Sequence, residues 1–422
     1  MPKIRPMHEI PAVAALMLLA VFIGCKPQKG EETNSPPVPE PGQTAVDTPA
    51  ETDTVAPAET VSPTEESTSP EPAATESVPT ETPSETTETA APAETVKAKP
   101  ADMSEIETVL VEEVPLGLPP LPVPVDNPMT EEKIALGRQL YFDTRLSVDG
   151  TISCATCHDP TLGWAEKSAT STGIKEQIGP RNAPTVINSA YVMSQFWDGR
   201  EPTLEAQALG PIENPIEMGH DLSVLVVALN EDPAMKAEFQ KVFGTDVTKE
   251  GIGKAIAAFE RTVLSGNSPY DKYKAGDETA MTEAQVRGMN LFMEVGCASC
   301  HTPPLFTNHQ FINCGIGSDA EEPDKGRMDA TGNPRDFGKF RVPGLRDVAD
   351  TGPYFHDGKT ETLEEAVKVM STGGVDNPRL SPLMKSIAAK ELSDADQADI
   401  VEFLKALSGE YPIIAPPEKA EE

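Results

Sequence analysis

The chain is short of positive charge. Its 34 lysines and arginines face 68 aspartates and glutamates over 422 residues, for a net charge of −34. A surface so acidic repels phosphate backbones, which argues against nucleic acid as a ligand. The same balance suits a basic docking partner, or serves only to keep the protein soluble. Long apolar runs are missing as well. The stretch Ala12 to Ile23 is too short to span a bilayer comfortably. Residues 26–100 contain no aromatic residue, and 14 prolines stand there among Thr, Glu, Ala and Ser. Such a segment cannot bury enough apolar surface to offset the entropy of ordering, so it is expected to be a disordered tether. Its r.m.s. reach as a flexible coil is roughly 50 Å. Strand-like alternation is scarce, which leaves a mainly α architecture. Histidine is scarce too, with six in the whole chain.

What is present at the N-terminus reads as an export leader. Lys3 and Arg5 precede the short apolar run, which stops at Phe22-Ile23-Gly24-Cys25. That ending resembles a bacterial lipobox, in which the Cys is acylated and becomes the first residue. Phe22 departs from the Leu usual there, so cleavage by the ordinary signal peptidase is one alternative and an uncleaved anchor another. Lys26 resembles the sorting residue of lipoproteins sent to the outer membrane. The expected location is therefore the periplasm, with membrane contact through a lipid on Cys25 only. Residues 26–100 hold −11 and residues 1–25 hold +1, so residues 101–422 carry −24 of the net charge.

Four of the six cysteines form two pentapeptides, Cys154-Ala-Thr-Cys157-His158 and Cys297-Ala-Ser-Cys300-His301. The pattern suits covalent attachment of haem c. Two thiols add to the vinyl groups, and the next imidazole lies under the iron. A zinc site or a disulfide is the competing reading of Cys-x-x-Cys. No second pair lies near either motif, and His follows directly both times, which favours two haem c groups. Covalent attachment occurs outside the cytoplasm, in agreement with the leader. Cys314, alone, reads as a buried thiol or an unpaired loop Cys.

The spacing predicts that each motif follows a similar helix. Thr130-Glu131-Glu132 opens one containing Gly137, Leu140 and Tyr141, and Thr282-Glu283 opens one containing Gly288, Leu291 and Phe292. Gly, Leu and aromatic fall at i, i+3 and i+4 in both, a single helical face, as in a duplicated module. Further helices are expected at 203–209, 221–229, 249–264, 362–370 and 394–407. The chain then divides into a lipoprotein-type signal (1–24), the tether (25–105), an N-terminal haem domain (106–275), a C-terminal haem domain (276–412) and a flexible tail (413–422). Each half is expected to be a cytochrome c-like domain with long loops wrapping the haem. Pro115 to Pro128 is expected to lead into the first domain without regular structure.

Two irons have four axial places. His158 and His301 fill one each, leaving His220, His309, His356 or methionines as candidates for the others. Five segments carry a resemblance. They are Gly179-Pro-Arg-Asn-Ala-Pro-Thr185, Gln195-Phe-Trp-Asp-Gly-Arg200, Gly210-Pro-Ile-Glu-Asn-Pro-Ile-Glu-Met218, Tyr354-Phe-His-Asp-Gly358 and Leu363-Glu-Glu-Ala-Val-Lys-Val-Met370. With the two haem motifs in this order, residues 129–412 resemble the bacterial dihaem cytochrome c peroxidases and the related MauG enzymes. The resemblance implies that peroxide reacts at the His158 haem. It implies that the His301 haem, with Met370 as second ligand, stores and relays electrons. Trp197 matches a residue between the haems, Glu217 the distal acid and Gln207 a polar distal position. Asn182, Thr351 and the Pro353 carbonyl match a calcium site, whose oxygen ligands suit a hard cation. His356 matches a residue beside a haem propionate, and His220 and His309 read as surface histidines.

Two departures bear on the chemistry. Many members of that family carry a His before Gly-Pro-Arg-Asn that plugs the peroxidatic iron; here the position is Ile174, which cannot ligate. The His158 haem is therefore expected to be open or water-bound when fully oxidised, with His220 as the one candidate substitute. MauG enzymes carry a Tyr ligand where this chain has Met370, and a Met favours simple electron delivery. The expected activity is reduction of hydrogen peroxide with electrons from a small exported cytochrome c or copper protein. The alternatives are a MauG-like enzyme oxidising residues of a partner protein and a non-catalytic electron carrier. The resemblance also implies a possible homodimer.

Overall fold

Threonine and serine set where the helices begin. The side chains of Thr130, Thr203, Thr248, Thr282, Thr362 and Ser393 each accept a backbone N–H from the first turn, satisfying donors that have no intrahelical partner. A computed structural model of the chain describes residues 114–417 and the two-residue strand Ile106–Glu107. Cys25, the leader and the whole tether lie outside the described residues. The fold is mainly helical. The first half carries α1 (Glu131–Tyr141), α2 (Cys154–Cys157), α3 (Leu204–Glu213), α4 (Leu222–Glu231), α5 (Pro233–Phe243) and α6 (Lys249–Glu260). The second carries α7 (Pro269–Lys274), α8 (Glu283–Glu294), α9 (Arg327–Thr331), α10 (Leu363–Ser371), α11 (Pro382–Ala388) and α12 (Asp394–Lys405). Strands are limited to two antiparallel ladders, β1 (Ile106–Glu107) with β2 (Val123–Pro124) and β3 (Phe311–Ile312) with β4 (Phe340–Arg341).

The helix of 249–264 ends early, at Glu260. Beyond it the Thr262 hydroxyl donates to the Phe259 carbonyl and the Asn188 amide takes the Val263 carbonyl, so the chain turns away. Helix α5 was not anticipated, although Asp232 caps it and Pro233 occupies its first turn. In the tail, Arg138 donates to the Ala415 carbonyl at 2.7 Å and Trp164 Nε1 to that of Pro412 at 2.8 Å, so the chain is docked at least as far as Ala415.

The duplication is physical. Helix α1 crosses α6 at Gly137, where an added Cβ would lie 1.9 Å from the Ala255 carbonyl oxygen and 2.8 Å from Phe259 Cβ. Helix α8 crosses α12 at Gly288, with the corresponding clashes at 1.8 Å on Asp399 and 2.9 Å on Phe403. Each crossing heads its own apolar core, one around Leu140, Tyr141, Trp164 and Phe259 and the other around Phe292, Phe306 and Phe403. Gly288→Ala should therefore lower stability by about 1–3 kcal/mol, the ordinary cost of overpacking, read by thermal unfolding of the holo-protein.

After the haem motifs the two halves keep a constant separation. Pro184, Asn188, Phe196, Asp198, Gly199, Thr203 and Leu204 recur 159 residues later as Pro343, Asp347, Phe355, Asp357, Gly358, Thr362 and Leu363. Four of these pairs share a conformation or a role. Asn188 and Asp347 are left-handed (φ 59° and 58°) and each opens a short 3₁₀ turn. Phe196 and Phe355 are left-handed at 66° and 67°. Gly199 and Gly358 also have positive φ, and Thr203 and Thr362 cap α3 and α10. The amide of Asn182 donates to the His356 carbonyl and that of Arg341 to the Trp197 carbonyl, both at 2.8 Å. These two bonds exchange equivalent partners, so an approximate two-fold relates the modules where they meet.

Candidate active site

Helix α2 is one turn long. Its first residue, Cys154, accepts the His158 amide, while Tyr141 Oη donates to the His158 carbonyl at 2.9 Å. These bonds fix the backbone of the pentapeptide. The His158 ring is shielded by protein except where it faces a cavity of about 240 Å³. Burial pushes its pKa down to about 4, opposed by the nearby Trp164 and Pro184 carbonyls, so the imidazole is neutral at working pH. A neutral imidazole is the form that ligates iron. Burial likewise raises both thiols, Cys157 to about 11.

The same cavity is also lined by Trp197, Gln207, Pro211, Asn214, Glu217, Glu260 and Arg341. Glu217 follows α3. Its carboxylate accepts from Asn214 Nδ2 at 2.9 Å, and its amide bonds the Asn214 carbonyl. Burial raises the Glu217 pKa, opposed by the positive charge of Arg200 and the Asn214 bond. Trp197 is held through Nε1, which donates to the Asn182 carbonyl at 2.9 Å. Ile174 is buried. Its amide donates to the Glu217 carbonyl at 2.9 Å, and its Cδ1 covers Gly219, where a Cβ would come within 2.5 Å. The loop before Gly179 thus braces the Glu217 segment. His220 is half-buried rather than on the surface, with Nδ1 unpartnered among the described residues.

The second site repeats the plan. Cys297–Ser299 form a 3₁₀ turn, and His301 Nδ1 bonds the Phe306 carbonyl at 3.0 Å, leaving Nε2 for an iron. Met370 lies on the last turn of α10, in line with buried Leu363, Ala366 and Val367, and is itself half-buried. It is the eighth residue of its helix. The eighth residue of α3, by the same 159-residue relation, is Pro211.

The family profile described as di-haem cytochrome c peroxidase matches residues 131–279, and the cytochrome c profile matches 285–408. Cytochrome-c peroxidase IdrP1 of Denitromonas iodatirespirans is 39% identical over 71% of this chain and 88% of its own length. The chain belongs to the dihaem cytochrome c peroxidase and MauG family. Methylamine utilization protein MauG of Methylorubrum extorquens is 37% identical over 71% of the chain and 84% of its own length. The crystal structure of a MauG-like protein associated with microbial copper homeostasis superposes with a TM-score of 0.62. It shares 35% identity, and the match covers 71% of this chain and 95% of that one.

Membership gives the two modules their cofactors, two haem c groups, and the residues fit them. Each site offers two thiols and a neutral imidazole on one turn. Several buried polar groups on the first cavity are not fully satisfied among the described residues, Ser189 Oγ and Glu260 Oε2 among them. Glu260 leaves Oε2 without a partner, its carboxyl pushed up to about 8 by burial, and the Arg341 guanidinium has no carboxylate beside it. Neither residue was singled out from sequence, because nothing in their local pattern separates them from helix-end and strand residues. Asn214 could have been, since its spacing to Glu217 is that of a side-chain turn.

Asn182 spends its amide N–H groups on the Ser168 and Ala169 carbonyls, which leaves Oδ1 without a hydrogen bond among the described residues. Lys167 Nζ donates to the Asp350 carbonyl at 2.7 Å, next to Thr351. His356 is buried and stacked on Phe340, ring centroids 3.5 Å apart, and meets Trp197 edge-on at 6.5 Å. His309 is half-buried, another departure from the surface expectation, and burial lowers its pKa. The thiol of Cys314 is raised to about 12 by burial, consistent with an inert side chain.

Proposed function

We propose that this protein reduces hydrogen peroxide to two waters, consuming two protons and two electrons. The observation that carries the reading is Glu217, a half-buried carboxylate lining the same cavity as His158, in the module whose Met370 equivalent is Pro211. A prolyl ring offers no lone pair to iron, so α3 would supply no ligand at position 211 to a haem held by Cys154, Cys157 and His158, and oxidant could reach the metal there. Bound at Cys154, Cys157 and His158, the haem supplies the metal that takes the oxidant and the electrons. Glu217 removes a proton from one peroxide oxygen and returns it to the departing one. Asn214 holds the carboxylate in place, and the Arg200 charge favours its ionised form. Gln207 holds bound peroxide or a water. Electrons enter at the module of His301 and Met370 and pass Trp197, whose ring is fixed by its bond to Asn182.

The donor is a small exported cytochrome c or copper protein, the location periplasmic, and the anchor a lipid on Cys25. One calcium ion is held by Asn182 Oδ1 with the Thr351 and Pro353 carbonyls, an oxygen set suited to that cation. Steady-state turnover of peroxide with reduced cytochrome c tests the reading. Sustained turnover is expected; peroxide-driven oxidation of tyrosine or tryptophan in a partner protein, without cytochrome turnover, would assign it to MauG-type chemistry instead. The oxidised protein should show one high-spin or water-bound haem and one low-spin haem. Two low-spin haems, both held by protein ligands, would remove the open site.

A further inference from the structure

Two of the three buried arginines, Arg261 and Arg346, bring their own carboxylates, and the less buried Arg181 does the same. Arg346 is paired through two bonds of 2.8 Å with Asp271, Arg261 lies 2.7 Å from Glu205, and Arg181 reaches Asp198 at 2.6 Å and Asp324 at 2.7 Å. Arg341 is 6% exposed and has no ion-pair partner among the described residues. Its one side-chain bond runs from Nε to the Phe196 carbonyl at 3.4 Å, the long limit of such contacts. Burial alone pushes its pKa down to about 10, and its charge lowers the pKa of His309, a group of the same sign when protonated. A buried charge left this way is strongly unfavourable unless an anion meets it.

Arg341 lines the cavity of Cys154, Cys157 and His158. The cofactor attached there is apolar around most of its rim and carries two carboxylates, on the edge away from the vinyl groups. Cys154 and Cys157 fix the vinyl edge, which leaves the carboxylate edge to the remaining wall. We infer that Arg341, a residue of the second module, holds a propionate carboxylate of the first module's haem. A planar guanidinium suits a carboxylate through two parallel bonds. The equivalent position in the first module is Asn182, an amide, so the charge belongs to one haem site and makes the two unequal.

The segment that carries Arg341 also reaches the second iron site. The Arg341 amide donates to the Trp197 carbonyl at 2.8 Å, and the Val342 carbonyl accepts from Thr307 Oγ1 at 2.6 Å. The Pro343 carbonyl lies against the His301 ring. Three consecutive residues therefore connect the propionate contact, the residue between the modules and the proximal ligand of the second haem. Arg341 is a positioning residue, setting the charge around one haem from the backbone that supports the other.

The test uses the holo-protein with Arg341→Gln and Arg341→Lys, titrated electrochemically without peroxide while both haems are followed optically. Both haems should remain covalently attached in each variant. Arg341→Gln leaves the propionate anion unpaired, which favours the ferric state of the His158 haem. Its oxidised-to-reduced ratio should rise at least about tenfold, a shift of 59 mV to lower potential for one electron. The His301 haem should move far less. The potential of the His158 haem should also become pH-dependent on the acid side, as the unpaired carboxylate takes up a proton. Its propionate bending band in resonance Raman should move as well. Arg341→Lys keeps the charge but loses the fork, so the band moves while the potential stays within about twofold of the parent in that ratio. An Arg341→Gln protein with unshifted potential and band would overturn the inference, and so would equal shifts at both haems. Should Arg341→Gln fail to accumulate with haem, an unmoved band in Arg341→Lys overturns it alone. Peroxide takes no part in these readouts, so they succeed or fail independently of the peroxidase reading.

Discussion

Glu217→Gln should cut peroxide turnover by about 10²–10⁴-fold, the usual worth of a positioned proton-transfer group, while both haems stay attached. Glutamine keeps the shape and the Asn214 contact but cannot accept a proton. The pH profile makes the assignment specific. Burial holds the Glu217 carboxyl above the ordinary carboxylate range, opposed by Arg200 and Asn214. The base form therefore fills only as pH rises through that raised value, and the parent rate falls on the acid side. That acid limb should vanish in the variant. Stability has the opposite sign. A carboxyl whose pKa is raised on folding stabilises fully only below its unfolded value and loses that contribution as pH rises through the folded one. Removing the charge should then leave the fold at neutral pH as stable as the parent or more so. A rate within threefold of the parent, with an unchanged profile, would take Glu217 out of the mechanism.

The haem motifs, the helices that lead into them and the mainly helical fold were legible because each is a local signal. Two thiols and an imidazole on one turn are contiguous in sequence. The caps at Thr130, Thr203 and Thr362 act within their own first turn. The glycines at 137 and 288 were noticed as members of a helical face, but their reason, contact with Ala255 and Asp399, lies more than 100 residues away. Arg341 and Glu260 escaped for the same cause. A missing partner is a property of the assembled cavity, and no neighbouring residue announces it. His220 and His309 were placed on the surface by default, whereas the Ile212 carbonyl draws the His220 backbone inward at 2.7 Å and His309 takes a left-handed turn beside Asn308. The 159-residue repeat stands in the sequence as spaced identities such as Phe196 and Phe355 or Gly199 and Gly358, and the backbone conformation shared by Asn188 and Asp347 gives it a structural meaning.

That repeat yields the second large effect. Pro211 and Met370 are eighth in equivalent helices, and Pro211 lines the cavity of His158. If the vacant axial place on the first haem depends on a residue unable to bond iron, supplying a thioether there should close it. Pro211→Met also restores a backbone N–H inside α3 and favours the helix, so folding is not the obstacle. The oxidised variant should show two low-spin haems in place of one. Peroxide turnover should fall by roughly 10²-fold or more, about 2.7 kcal/mol on the barrier, because oxidant must first displace a protein ligand. The potential of the first haem should rise, as it does whenever Met joins His on iron. Electron uptake at the second haem should be unchanged, since Met370 and His301 are untouched. A variant that keeps its high-spin signal and full turnover would show that the vacancy is set by something other than the residue at position 211, with the braced loop around Ile174 the next structure to alter.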